Sequence, residues 1–235
     1  MADINTTVAE LVIENPSRAR FFEKLGIDYC CGGKRSLDEA CAEQGLDART
    51  MLTALLAEET ARAESVHDSF ADLKKASPAE LMQNIIDTHH AYLRQELPRL
   101  EELGEHVREH HGERELRLKA VVEVLRSLRM DLEAHLQTEE EELFPALRRA
   151  ASPEDIEDAG FRSSKLELVE TLEEDHEATG MLLQEIRTLT EGFSVPEWGC
   201  NSFRAFYEGL HDLERDIHQH VHKENNILFP AVFGR

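Results

Sequence analysis

His135-Leu136-Gln137-Thr138-Glu139 leads into Leu143-Phe144-Pro145, and 85 residues later His220-Val221-His222-Lys223-Glu224 leads into Leu228-Phe229-Pro230. Residues four apart share a helical face about 6 Å apart along the axis, so each copy predicts a helix offering an imidazole and a carboxylate together. A second match, Thr88-His89-His90-Ala91 against Asp175-His176-Glu177-Ala178, recurs after 86 residues. Each half is therefore a helix with one histidine followed by a helix with His-x-x-x-Glu. Two such pairs predict a four-helix bundle with a pseudo-two-fold axis.

Apolar residues recur at three- and four-residue spacing along nearly the whole chain, which predicts an all-α protein. The bundle is expected over 78–235, with long helices near 78–104, 113–144, 163–191 and 197–227. Ser77-Pro78-Ala79-Glu80 supplies a cap, a first-turn proline and a capping-box glutamate. Pro145 and Pro230 are expected to end the second and fourth helices, with Gly112 and Gly192 breaking the chain elsewhere. Residues 1–62 read as a small helical domain. Short helices at 6–14 and 17–25 flank Pro16, Gly26 closes the second, Ser36-Leu37-Asp38-Glu39 caps a third, and Asp47 caps a fourth. The stretch 63–77 is the expected linker.

Ligand chemistry follows from what interrupts the apolar stripes. Phe203, Phe206, Leu210, Leu213 and Ile217 run into His220 and Glu224; Val121, Leu125, Leu128 and Leu132 run into His135 and Glu139. Val169, Leu172, Leu183 and Ile186 bracket His176, and Ile86, Leu93 and Leu97 bracket His90. Burying four histidines and two carboxylates together without a counter-charge costs many kcal/mol, so cations are expected among them. Mixed imidazole and carboxylate donors suit iron or manganese better than zinc, magnesium or calcium. Divided between two metals, the six give each two histidines plus carboxylates, with Glu139 and Glu224 as bridges. His89 competes with His90 for the first position. His67, His106, His110 and His111 read as solvated, and His211, His218 and His222 face away from the His220 stripe.

The formal net charge of −22 excludes a phosphate backbone or an anionic membrane as main partner. No apolar run is long enough to span a bilayer, and the start MADINTTVAE has no signal-peptide pattern, which predicts a cytoplasmic protein, monomeric or homodimeric. Of the four cysteines, Cys30 and Cys31 precede a helix start, where a thiol is activated and can serve redox or relay chemistry. Cys41 lies on the following helix, and Cys200 has no evident partner. Gly180 stands where a second metal-face residue would project from the third helix. It leaves room for a small ligand or an iron exit path, or else serves close helix packing.

These residues resemble the hemerythrin-like fold. Asp28-Tyr29-Cys30-Cys31-Gly32-Gly33 together with the two His-x-x-x-Glu-x-x-x-Leu-Phe-Pro segments resembles the iron-sulfur cluster repair di-iron family over the whole chain. The resemblance implies two non-haem iron ions with oxo and carboxylate bridges, terminal histidines at His90, His135, His176 and His220, and bridging Glu139 and Glu224. It also implies stress-response repair of iron-sulfur proteins damaged by nitric oxide or peroxide. Iron donation or exchange, or nitric oxide capture, would occur at the metals, with Cys30 and Cys31 in redox or relay roles. Oxygen-carrying hemerythrins differ, because the position four beyond His176 is Gly180. The alternative functions are a di-iron enzyme that reduces nitric oxide and a module that senses oxygen or nitric oxide.

Overall fold

A computed structural model describes residues 2–15, 18–30, 32–62, 76–149 and 159–233. Cys31, Pro16, His67 and most of the expected linker lie outside the described residues. Helices are the regular elements among the described residues, joined by turns and short irregular segments, with one isolated bridge between Thr7 and Ser36. None of their helices is long and apolar enough to cross a membrane. The chain divides into two compact units, Met1–Leu81 with His218–Arg235, and Met82–Ile217.

In the first unit, α1 (Val8–Glu14) and α3 (Leu37–Glu43) both start with complete capping boxes, Thr7 with Glu10 and Ser36 with Glu39. Asp47 caps α4 (Ala48–Arg62) by accepting from Thr50 N–H at 2.8 Å. α2 (Ala19–Leu25) ends at Gly26, whose φ of +67° is the left-handed geometry expected of a helix-closing glycine. Val8, Leu11, Val12, Phe22, Tyr29, Leu37, Cys41 and Leu55 form the core between these helices. Backbone bonds from Ala9 N–H to Gly33 O and from Val8 N–H to Arg35 O tie the start of α1 to the cysteine-bearing turn.

The second unit carries the bundle helices. α5 (Pro78–Ile85), beginning just before it, leads through a π turn at Ile86–His90 into α6 (Ala91–His111). α7 (Leu118–Thr138) passes through a π turn at Glu139–Leu143 into α8 (Phe144–Arg149). α9 (Ala159–Leu189) follows, then α10 (Asn201–Lys223), whose last residues, from His218 on, belong to the first unit, as do the π turn Glu224–Leu228 and α11 (Phe229–Phe233) that continue it. α7 packs against both α6 and α9. The apolar stripes read from the sequence are buried, with one correction: Ile85, not Ile86, is the fully buried residue ahead of His90. The π turn inserts a residue into the helical period, so the inward position falls five residues before His90 rather than four.

Two further expectations give way for the same reason. Pro145 and Pro230 do not end their helices but sit in the first turns of α8 and α11, directly after π turns. Phe144 N–H already reaches back five residues to Glu139 O, and Phe229 N–H to Glu224 O. The widened turn absorbs a residue that can neither donate a hydrogen bond nor tolerate a carbonyl four residues back.

Close helix contact in this unit depends on Gly104 and Gly209. A Cβ on Gly104 would lie 2.7 Å from the Phe206 ring, and one on Gly209 2.5 Å from Leu100 Cδ2. At Gly180 a Cβ would meet no atom within 4 Å, so close packing does not account for that glycine. Gly104→Ala is therefore expected to destabilise by about 1–3 kcal/mol through overpacking. Gly180→Ala is expected to be neutral or to stabilise by up to about 1 kcal/mol through helix propensity. Urea midpoints of the two variants, with unchanged m values, check the pair.

Candidate metal centre

Within the second unit, His90 closes a π turn on the first bundle helix, His135 ends the α7 stripe, Glu139 opens the next π turn, and His176 sits mid-way along α9. All four are buried, His90 and Glu139 completely. Glu139 directs its two oxygens at different imidazoles: Oε2 lies 3.3 Å from His90 Nε2 and Oε1 3.4 Å from His135 Nε2. His135 Nε2 and His176 Nε2 approach to 3.0 Å. The ligand atoms of His135, Glu139 and His176 all lie within 4.8 Å of one another. Three Nε2 atoms and a buried carboxylate thus converge.

The outward-facing Nδ1 atoms explain that convergence. Glu140 Oε1 lies 2.7 Å from His90 Nδ1, with Arg94 beside it at 2.9 Å. Asp175 Oδ2 lies 3.5 Å from His135 Nδ1. A carboxylate on Nδ1 holds the proton there and leaves Nε2 free to donate its lone pair, the arrangement that orients histidine ligands. Burial opposes ionisation of Glu140, but hydrogen bonds from Arg94 and His90 outweigh it and hold its pKa below the usual value. The hydrogen bond with His135, against the opposing effect of burial, likewise lowers the pKa of Asp175. The His90 ring also stacks on Phe144, centroids 5.9 Å apart.

His89 and His90, the two candidates for the first position, face different partners. Both are buried, because a π turn brings neighbouring residues inward, but His89 Nδ1 pairs with Asp216 at 2.9 Å while His90 faces Glu139. Another buried carboxylate in this unit offers a contrast: Glu214 accepts from Arg187 Nε at 2.9 Å and so has a guanidinium as counter-charge. Glu139 instead has an imidazole against each of its oxygens. This donor set fits a transition-metal cation such as iron, since neutral imidazole and anionic carboxylate are its usual ligands in proteins.

In the first unit, His220 Nε2 lies 3.0 Å from Glu224 Oε1, and both side chains are completely buried. His222, expected merely to face away from that stripe, is itself completely buried. Its Nδ1 lies 3.2 Å from Tyr29 O, and burial pushes its pKa down to about 4 despite that hydrogen bond. His106 and His110 are exposed, as expected, and His211 is exposed too, whereas His111, expected to be solvated, is half-buried against Trp198 and Phe203.

The cysteines depart from expectation. Cys30 is not at a helix N-terminus, since α3 begins only at Leu37 behind the Ser36 cap. Its N–H and that of Gly32 instead donate to the Asp28 carboxylate at 2.9 and 2.8 Å, and its thiol lies 3.1 Å from Asp28 Oδ1. Cys41 is fully buried in the core, where burial pushes its thiol pKa up and makes it unreactive. Cys200 has a partner after all: its Sγ lies 3.1 Å from His111 Nε2. Glu140, Asp175 and the Tyr29 contact of His222 were not read from the sequence. The first two had a signal, because each adjoins a ligand candidate in the chain.

Comparison with known proteins adds to this geometry. Residues 81–232 match the family model described as "Hemerythrin HHE cation binding domain", and residues 4–59 match "Domain of Unknown function (DUF542)". The chain is 32% identical over 222 residues to the "Iron-sulfur cluster repair protein ScdA" of Staphylococcus haemolyticus (strain JCSC1435), covering 94% of this chain and 95% of that one. It is 33% identical over 227 residues to the "Iron-sulfur cluster repair protein YtfE" of Edwardsiella ictaluri (strain 93-146), covering 97% and 96%. Similarity to the protein of that name from Yersinia pseudotuberculosis serotype IB (strain PB1/+) is 31% over 228 residues.

If Glu140 orients His90, Glu140→Ala should weaken metal retention about 10–100-fold while leaving the helices intact. Competition with a graded chelator, read by elemental analysis beside circular dichroism, measures both.

Proposed function

Because the chain belongs to the hemerythrin HHE cation-binding family, and to that of the iron-sulfur cluster repair proteins it resembles along nearly its full length, we propose that it repairs damaged iron-sulfur clusters. The repair is of clusters harmed by nitrosative or oxidative stress, in the cytoplasm, by iron donation or exchange or by nitric oxide capture. Two non-haem irons, bridged by oxo and carboxylate groups, are held by His90, His135, Glu139, His176, His220 and Glu224. The working protein is a monomer or homodimer, and nitric oxide or oxygen is its small ligand.

The observation that carries this reading is Glu139, which turns one oxygen to His90 and the other to His135. A carboxylate that divides its oxygens between two imidazoles has the arrangement needed to span two cations. Glu224, four residues beyond His220 and opening its own π turn, holds the corresponding place in the second copy of the motif.

Iron bound there supplies one-electron chemistry and exchangeable coordination. The chain's part is to hold it. Glu139 and Glu224, each completely buried, would supply negative charge where solvent does not compete, and the imidazoles would present Nε2 lone pairs. Glu140 and Asp175 keep the Nδ1 protons of His90 and His135 in place. All-helical supports fix these groups more firmly than loops would. Cys30 and Cys31 carry the thiol redox or relay step.

Protein made with ample iron should contain about two irons per chain, as six donors divided between two metals require. It should restore activity to a nitric-oxide-damaged iron-sulfur enzyme. Glu139→Ala should lose most of the iron and of the restoration together. Iron near zero in the unmodified protein, or full restoration by Glu139→Ala, would sink the proposal.

A further inference from the structure

The end of α10 carries two sets of functional side chains two residues out of step. His220 and Glu224 form one set; His218, His222 and Asn226 form the other. Residues two apart on a helix point in nearly opposite directions, so the second set is not part of the ligand face. It meets the cysteine-bearing turn. Tyr29 packs edge-on against both His218 and His222, with centroids 6.0 and 5.5 Å apart. Tyr29 O accepts from His222 Nδ1 at 3.2 Å, and Cys30 O accepts from Asn226 Nδ2 at 3.0 Å.

The hydrogen bonding of that turn divides into two halves. Two of its donors, the N–H groups of Cys30 and Gly32, are satisfied locally by Asp28. Two of its carbonyls, on residues that are 1% and 6% exposed, are met by the helix. A buried carbonyl without a donor is costly, so these two contacts hold the turn in place. Gly33 serves the same end: a Cβ there would collide with Tyr29 O, the atom that receives His222, and would lie 2.8 Å from Ala9 Cβ. A carbonyl can only accept, so the Tyr29 contact is a hydrogen bond when His222 Nδ1 carries the proton; Asn226 Nδ2, 3.2 Å from the same nitrogen, then donates to Cys30 O.

We propose that His222 and Asn226 are positioning residues for the Cys30 thiol, fixing the turn that bears it to the helix that carries His220 and Glu224. The proposal rests on the repair reading for the role of the thiol, but not for the grip itself. Both act by clamping the backbone of Tyr29 and Cys30.

The test uses the full-length, iron-loaded protein. Asn226→Ala and Asn226→Asp both remove the donor to Cys30 O, the second without loss of volume. His222→Asn keeps an amide donor near the Nδ1 position. Alkylation by iodoacetamide, read at Cys30 by tandem mass spectrometry, should run roughly five- to tenfold faster in both Asn226 variants, the effect of losing one hydrogen bond on local opening. It should stay near the unmodified rate in His222→Asn. Iron content should hold in all three, while restoration of a damaged cluster falls in the Asn226 variants. Unchanged Cys30 alkylation in both Asn226 variants overturns the proposal, as does faster alkylation with undiminished restoration. Should neither Asn226 variant fold, hydrogen exchange of the Asn226 side-chain amide in the unmodified protein decides: slow exchange supports the clamp, and exchange at the solvent rate overturns it. If the unmodified protein restores no cluster, the repair reading fails alone, and the alkylation ratio still reports on the grip.

Discussion

A carboxylate with no exposed surface and an imidazole against each oxygen sets the conditions for everything else in the bundle. Moving a carboxylate out of water costs several kcal/mol unless a counter-charge or strong donors meet it. Glu214 shows the ordinary solution in the same unit, a guanidinium from Arg187. Glu139 shows another, in which an imidazole meets each of its oxygens. The helices bearing His90, His135 and His176 have to meet within hydrogen-bonding distance of one point for this to hold. Gly104 and Gly209 permit the close approach of the first and last helices that such convergence requires.

The three π turns belong to the same logic. Each begins or ends on a ligand candidate: His90 closes the first, Glu139 opens the second and Glu224 opens the third. A π turn weakens local hydrogen bonding, so in a long helix it marks a place where another demand overrides regularity. Here it shifts the helical phase by one residue exactly where a ligand has to face inward and, in two of the three, where a proline follows.

Much of this was legible beforehand. The four stripes, the capping boxes at Ser36 with Glu39 and Ser77 with Glu80, and the helix-closing glycine at Gly26 all follow from local chemistry that a sequence displays directly. What escaped detection was phase. A strict 3.6-residue reading makes Ile86 the inward residue and treats Pro145 and Pro230 as stops, because nothing in residue type announces a π turn. Contacts between segments far apart in the chain were equally hidden. Cys200 finds His111, and His222 finds Tyr29, through folding alone.

The cysteines show why residue type is a weak guide to reactivity. Cys30 and Cys41 share one small unit and are both buried, yet their surroundings differ. Cys41 is packed among apolar side chains with Asp38 and Asp47 nearby, all of which disfavour a thiolate. Cys30 lies on a turn whose backbone is tied on one side to Asp28 and on the other to His222 and Asn226. A thiol on a clamped turn at a helix surface can be presented in one geometry without being deeply enclosed. A thiol in the core cannot be presented at all unless the unit opens. Chemistry at Cys30 therefore depends on the hydrogen bonds that hold its neighbours, which is a property of the turn and its helix rather than of the sulfur.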